Sequence, residues 1–147
     1  MQPIFQHLQL PASLQVLRDR VRRFVDDVAI PAESAQAAHS WEALDQILQR
    51  LRPQAQAAGL YLPQMPREQG GLGLSWVERA VVLEEAGRSF LAPAAMNCAP
   101  PDQPNMISLL RQGSPAQQAR YLQPLLRGEV RSCFAMTEPA PGAGSDP

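Results

Sequence analysis

Hydrophobic residues recur at helical spacing along most of the chain. Leu14, Leu17, Val21, Phe24, Val25 and Val28 share one face of a helix opening near Ser13, with arginine and aspartate opposite. Pro31 is expected to end it. Ser40 is a cap for a second helix with Glu42 in its first turn; Trp41, Leu44, Leu48, Leu51 and Ala55 make its stripe. Pro53 lies inside that stripe and is expected to kink or interrupt it, and Gly59 suits a left-handed C-terminal cap. Residues 60–74 carry two prolines and three glycines and read as a loop whose apolar members pack it down.

Ser75 and Glu78 have capping-box spacing. The helix they open carries Val77, Ala80, Val81 and Leu83, a set wide enough for a helix surrounded by others. Glu84 and Arg88 have i,i+4 spacing for an ion pair. Residues 91–105 are proline-rich and irregular, with at most one helical turn. Met106, Ile107, Leu109 and Leu110 predict a helix stopped by Gly113. Ser114-Pro115-Ala116-Gln117 opens another, with Tyr121, Leu122, Leu125 and Leu126 on its apolar side. Gly128 and Glu129 make the next turn. Cys133, Phe134, Ala135 and Met136 then read as a buried strand that stops before Pro139, followed by a loop with Gly142, Gly144 and Ser145.

The fold class is therefore mainly α: five to six helices over residues 1–130, then one strand and a loop over 131–147. A lone strand cannot satisfy its backbone groups, so the sequence is expected to be an N-terminal portion of something larger.

The chain has 147 residues, enough for one domain burying roughly 70% of its unfolded surface. Charged residues make up 18%, below the usual share of about 25%. Either part of the surface is covered by further polypeptide, or the many glutamines supply uncharged polar surface. A net charge of −1 gives no footprint for nucleic acid or an anionic membrane, and no apolar run reaches the length of a membrane span. No secretory signal is legible, and Asp19, Asp26 and Asp27 among the arginines argue against a mitochondrial presequence. The arginine cluster from Arg18 to Arg23 reads as a solvated helix face, with an acidic partner as the alternative. Cys98 and Cys133 have no paired spacing; both are expected to be small buried residues in a reducing, cytoplasmic compartment.

Few residues suggest chemistry. His7 and His39 are isolated, with no ligand partner and no triad setting, so neither a metal site nor a nucleophilic triad is expected. Gly70-Gly71-Leu72-Gly73 lacks the Gly-Lys-Ser/Thr ending of a phosphate loop. Glu84 and Glu85 are adjacent on a helix and point about 100° apart, so they do not form a catalytic pair.

Cys133-Phe134-Ala135-Met136-Thr137-Glu138-Pro139, followed by Gly144-Ser145-Asp146, resembles the flavin-binding signature of the acyl-CoA dehydrogenases, closest to the branch reading Phe-Ala-Met-Thr-Glu-Pro. The likeness extends upstream through Asn97-Cys98 and Pro101-Asp102, and through the Leu62-Pro63…Glu68-Gln69-Gly70-Gly71-Leu72-Gly73 connector, which in that family borders the acyl pocket. One departure is a longer loop: Ala140-Pro141-Gly142 intervene before Ala143. The family also runs to well over twice this length.

The resemblance implies the N-terminal helical domain of an FAD-dependent enzyme that oxidises an acyl-CoA thioester to the trans-2-enoyl-CoA. It implies FAD contacts from Phe134, Ala135, Met136, Thr137, Gly144 and Ser145, with Ser145 also near the substrate thioester. The catalytic base belongs to a part of the family fold outside this chain, so no catalytic residue is named here. An electron-transfer flavoprotein or similar acceptor and a homo-oligomer are implied as partners. Two alternatives stay open: a stand-alone, non-catalytic helical module pairing with a separate chain, and a truncated inactive remnant.

Overall fold

The computed structural model describes residues 9–35 and 40–136. The chain divides into two compact units, residues 1–99 and 100–147.

In the first unit, α1 (Ala12–Phe24) runs through a π turn (Val25–Ala29) into α2 (Ile30–Ala35). Pro31 therefore does not end the helix, contrary to the sequence expectation. The π turn supplies the reason. The Ile30 amide donates to the Val25 carbonyl five residues back, and the wider turn moves carbonyls away from the proline ring that would otherwise strike the residue four back.

The helix α3 (Trp41–Ala57) starts as expected: the Ser40 hydroxyl accepts from the Ala43 amide at 3.2 Å. It continues through Pro53 without interruption. It closes in a Schellman turn, with the Gly59 amide on Gln56 carbonyl and the Leu60 amide on Ala55 carbonyl, both at 2.9 Å. Gly59 takes φ +66°, a value that favours glycine. Leu60 and Ala55, which such a turn brings together, are both buried.

Residues 60–74 are packed down. Leu60, Tyr61, Leu62 and Met65 are buried, and the Leu62 amide donates to Met96 carbonyl at 2.9 Å. One 3-10 turn, Arg67–Gln69, interrupts the irregular course. The helix α4 (Trp76–Ala86) opens with both arms of the capping box formed, and α1 packs against it. Leu10, Leu14 and Val81 form one cluster of this core, with Leu17 packed on it. The α4 surface differs from the expectation of a helix surrounded by others. Val81, Val82, Glu85 and Ala86 face inward, while Val77, Ala80 and Leu83 are exposed. A single turn, α5 (Ala92–Ala95), then packs on α3.

In the second unit, α6 (Asp102–Gln112) is followed by the Ser114–Gln117 capping box that opens α7 (Pro115–Gln117). A second π turn (Gln118–Leu122) leads into α8 (Gln123–Arg127). Here too the π turn ends two residues before a proline, Pro124. Met106, Leu122, Leu125 and Leu126 are buried, and Gly128 turns the chain in the left-handed region. Residues 131–136 carry no regular secondary structure, so the expected strand at Cys133–Met136 is not formed among the described residues. Without a neighbouring strand, such a segment has no ladder to join. Among the described residues no helix is long and apolar enough to cross a membrane.

Candidate functional site

The expected flavin-facing segment begins where the second unit ends its helices. Past the Gly128 turn, Ser132 is fastened to the start of α6. The Asp102 carboxylate accepts on one oxygen from both the Ser132 amide at 2.6 Å and the Ser132 hydroxyl at 2.7 Å. Asn105, one turn along α6, donates to the same hydroxyl at 2.8 Å. The Arg131 guanidinium lies 4.0 Å from the other Asp102 oxygen. Asp102 is buried, so these charge-assisted bonds replace the water it gave up.

Beyond this anchor the side chains are uncovered. Phe134 is 54% exposed and Met136 57%, with Ala135 exposed between them. Cys133 is exposed as well, which corrects the expectation of two buried cysteines: among the described residues no sheet forms to cover it. Thr137, Gly144 and Ser145 lie outside the described residues, as do His7 and His39.

A groove of about 770 Å³ opens beside the anchor, between α6 and the run from α7 to α8. Leu109, Tyr121, Leu125 and Val130 give it an apolar lining, and Arg120 and Arg131 stand among its polar members.

In the first unit, the carboxylates behave as structural groups. Glu85 is buried and accepts from Arg22 on α1 through the guanidinium's Nε and Nη2, and from Arg88 at 3.3 Å. Arg88 reaches Asp26 at 2.6 Å. One member of the arginine cluster is thus used inside the fold, and Arg88 serves the Asp26–Glu85 network. Cys98 is buried, its thiol pushed up to about 12 by desolvation, which makes it inert at neutral pH. Among the described residues no group of three acidic, histidine or cysteine side chains could hold a metal ion.

The helical part of the sequence is matched by a known family. The family model described as "Acyl-CoA dehydrogenase, N-terminal domain" matches residues 11–129. The chain belongs to the acyl-CoA dehydrogenase family. It is 37% identical over 134 residues to acyl-CoA dehydrogenase family member 11 of Rattus norvegicus, a match covering 85% of this chain and 17% of that protein. It is 42% identical over 95 residues to probable acyl-CoA dehydrogenase FadE2 of Mycobacterium tuberculosis, covering 64% of this chain and 23% of that one. A solved chain assigned as an acyl-CoA dehydrogenase from Mycobacterium abscessus superposes with a TM-score of 0.77 at 38% identity, over 88% of this chain and 35% of its own. The present sequence thus spans about a sixth to a third of these acyl-CoA dehydrogenases, and its helices are those of their N-terminal domain.

Sequence reasoning singled out the segment Phe134–Met136 as a candidate but did not foresee its fastening to Asp102. Pro101-Asp102 was visible as part of the acyl-CoA dehydrogenase resemblance. Nothing local said that Asp102 would meet a serine thirty positions later.

Proposed function

We propose that this chain is the N-terminal part of an FAD-dependent acyl-CoA dehydrogenase that oxidises an acyl-CoA thioester between Cα and Cβ. Domain limits of 1–130 for the helical domain and 131–147 for the opening of a β domain go with that reading. The observation that carries it is the pair of uncovered apolar side chains, Phe134 and Met136, one residue apart and directly beyond a fixed anchor.

These residues fit a flavin. An aromatic ring and a thioether left in solvent are suited to lie against a flat tricyclic ring system. The Phe134 and Met136 side chains would line that ring, Ala135 would meet it through its backbone, and the Thr137 hydroxyl would hydrogen-bond its polar edge. Gly144 and Ser145 would meet a phosphate or the thioester region. When bound, FAD supplies the acceptor for the hydride leaving Cβ. The chain's own part is to bind and orient. The groove beside Ser132 falls in the size range of small-molecule sites, with apolar walls and Arg120 in its lining as a cation for an anionic thioester ligand. The base that removes the α-proton is assigned to polypeptide outside this chain. An electron-transfer flavoprotein or similar acceptor, a homo-oligomeric assembly and a cytoplasmic location complete the proposal.

The test is the reading frame. Polypeptide continuing past Pro147 should purify with one flavin per chain and bleach on addition of an acyl-CoA, whereas residues 1–147 alone should retain little flavin and show no turnover. A continuing polypeptide that purifies colourless and takes up no added FAD would overturn the assignment. A natural stop after Pro147, with the remainder encoded as a separate chain, would favour the stand-alone helical module instead.

A further inference from the structure

Past Glu129 the chain is hydrogen-bonded to α6 at Ser132. Ser132 presents two donors, its amide and its hydroxyl, to a single oxygen of Asp102 at 2.6 and 2.7 Å. Asn105 closes the triangle by donating to the hydroxyl oxygen at 2.8 Å. Serine and threonine alone carry an amide and a hydroxyl at this spacing, and neither neighbour of Ser132, Arg131 or Cys133, has that pair. The anchor therefore selects one residue of the segment and rejects its neighbours.

That selection has a geometric result. When a segment joins a sheet, its side chains alternate between faces, and a slip of one residue sends every side chain to the opposite face. In such a strand, with Ser132 pinned, Phe134 and Met136 would fall on one face, and Cys133 and Ala135 on the other. We infer that Asp102 is a positioning residue: its carboxylate fixes the register of residues 132–136 and so decides that Phe134 and Met136 are the side chains offered to the flavin. This role rests on the flavin reading given above.

The first experiment uses the 147-residue chain. Backbone amide hydrogen exchange is followed at Ser132–Met136 in the parent, Asp102→Ala, Ser132→Ala and Ser132→Thr, with far-UV circular dichroism to confirm that each variant is folded. Loss of a charge-assisted acceptor predicts exchange at Ser132 about tenfold faster in Asp102→Ala. Ser132→Ala, which leaves Asp102 in place at the helix start, should speed exchange by a smaller factor. Ser132→Thr, which keeps both donors, should match the parent. Should Asp102→Ala fail to fold, Asp102→Asn and Ser132→Ala carry the same comparison. Unchanged exchange in the folded Asp102 and Ser132→Ala variants overturns the anchor.

The second experiment measures flavin content and flavin fluorescence of the same variants in the continuing polypeptide. Weakened retention in Asp102→Ala with recovery in Ser132→Thr supports the role. Faster exchange combined with a parent protein that binds no flavin at all would instead bring down the flavin reading, and the proposed role with it.

Discussion

Arg22 on α1 and Glu85 on α4 form a two-pronged ion pair whose carboxylate is 1% exposed and whose guanidinium is 38% exposed. Glu85 also accepts from Arg88, so the buried charge has two cationic partners. Removing it strands two arginines that still reach water; removing either arginine leaves the carboxylate with the other. Arg22→Ala, which leaves a buried carboxylate with only the longer Arg88 contact, should therefore cost about 2–4 kcal/mol in urea unfolding, and Glu85→Ala, which frees two arginines into water, clearly less. The pair holds the Arg22 guanidinium above its ordinary value, chiefly through the Glu85 hydrogen bond. A raised folded-state value gives stability that is complete below the unfolded value and lost only as pH rises through strongly alkaline solution. The Glu85→Ala deficit should accordingly be flat across neutral pH; one that vanished near pH 8 would contradict this account.

Ser75 and Ser114 each close a capping box, with Glu78 and Gln117 reaching back. Substituting either serine by alanine should lower stability by about 1 kcal/mol, readable as a shift in thermal midpoint. The two effects should add, since the boxes share no partner.

The first box carries a pH signature that the second lacks. The Ser75 hydroxyl and amide hold the Glu78 carboxyl below its ordinary value. A lowered folded-state value means that the contribution is present above the unfolded value and lost as pH falls through the folded one. Acidification from about pH 5 to about pH 3 should therefore weaken the parent more than Glu78→Gln. Identical acid profiles for the two would remove the carboxylate from the box.

Both capping boxes, the Ser40 cap, the Gly59 turn and the packed loop were legible in the sequence because each is a local device with a fixed offset. The inward face of α4 was not. Its apolar residues surround the helix, so spacing alone could not separate Val81, which is buried, from Val77 and Leu83, which are exposed. Pro31 was misread because periodicity carries no sign of a π turn. The Arg22–Glu85 and Asp102–Ser132 contacts join residues 63 and 30 positions apart, and charge patterning names candidates for such contacts without choosing among them.

The two cysteines should separate cleanly in thiol labelling. Cys133 is exposed, while Cys98 is buried with its thiol pushed up to about 12. A thiolate-directed reagent at neutral pH should modify one thiol per chain rapidly, located by peptide mapping at Cys133. The second should react only on unfolding. Fast labelling at Cys98 would show that its surroundings open.

Gly71 is fixed by contact. A Cβ built there would lie 2.2 Å from the Met65 carbonyl oxygen and 2.6 Å from the Met65 Cβ. Gly71→Ala must displace buried Met65 or its backbone, and should cost about 2 kcal/mol or more in urea unfolding. A neutral substitution would mean that the loop tolerates more movement than its hydrogen bonds suggest.

The two widened turns ahead of Pro31 and Pro124 amount to one surplus residue wound into each helix. A surplus residue rotates everything downstream by roughly 100° relative to an unbroken α-helix. Relatives without a proline at either point are thus expected to be one residue shorter there. Aligning them with this chain calls for a single-residue gap inside a helix, where gaps are ordinarily refused.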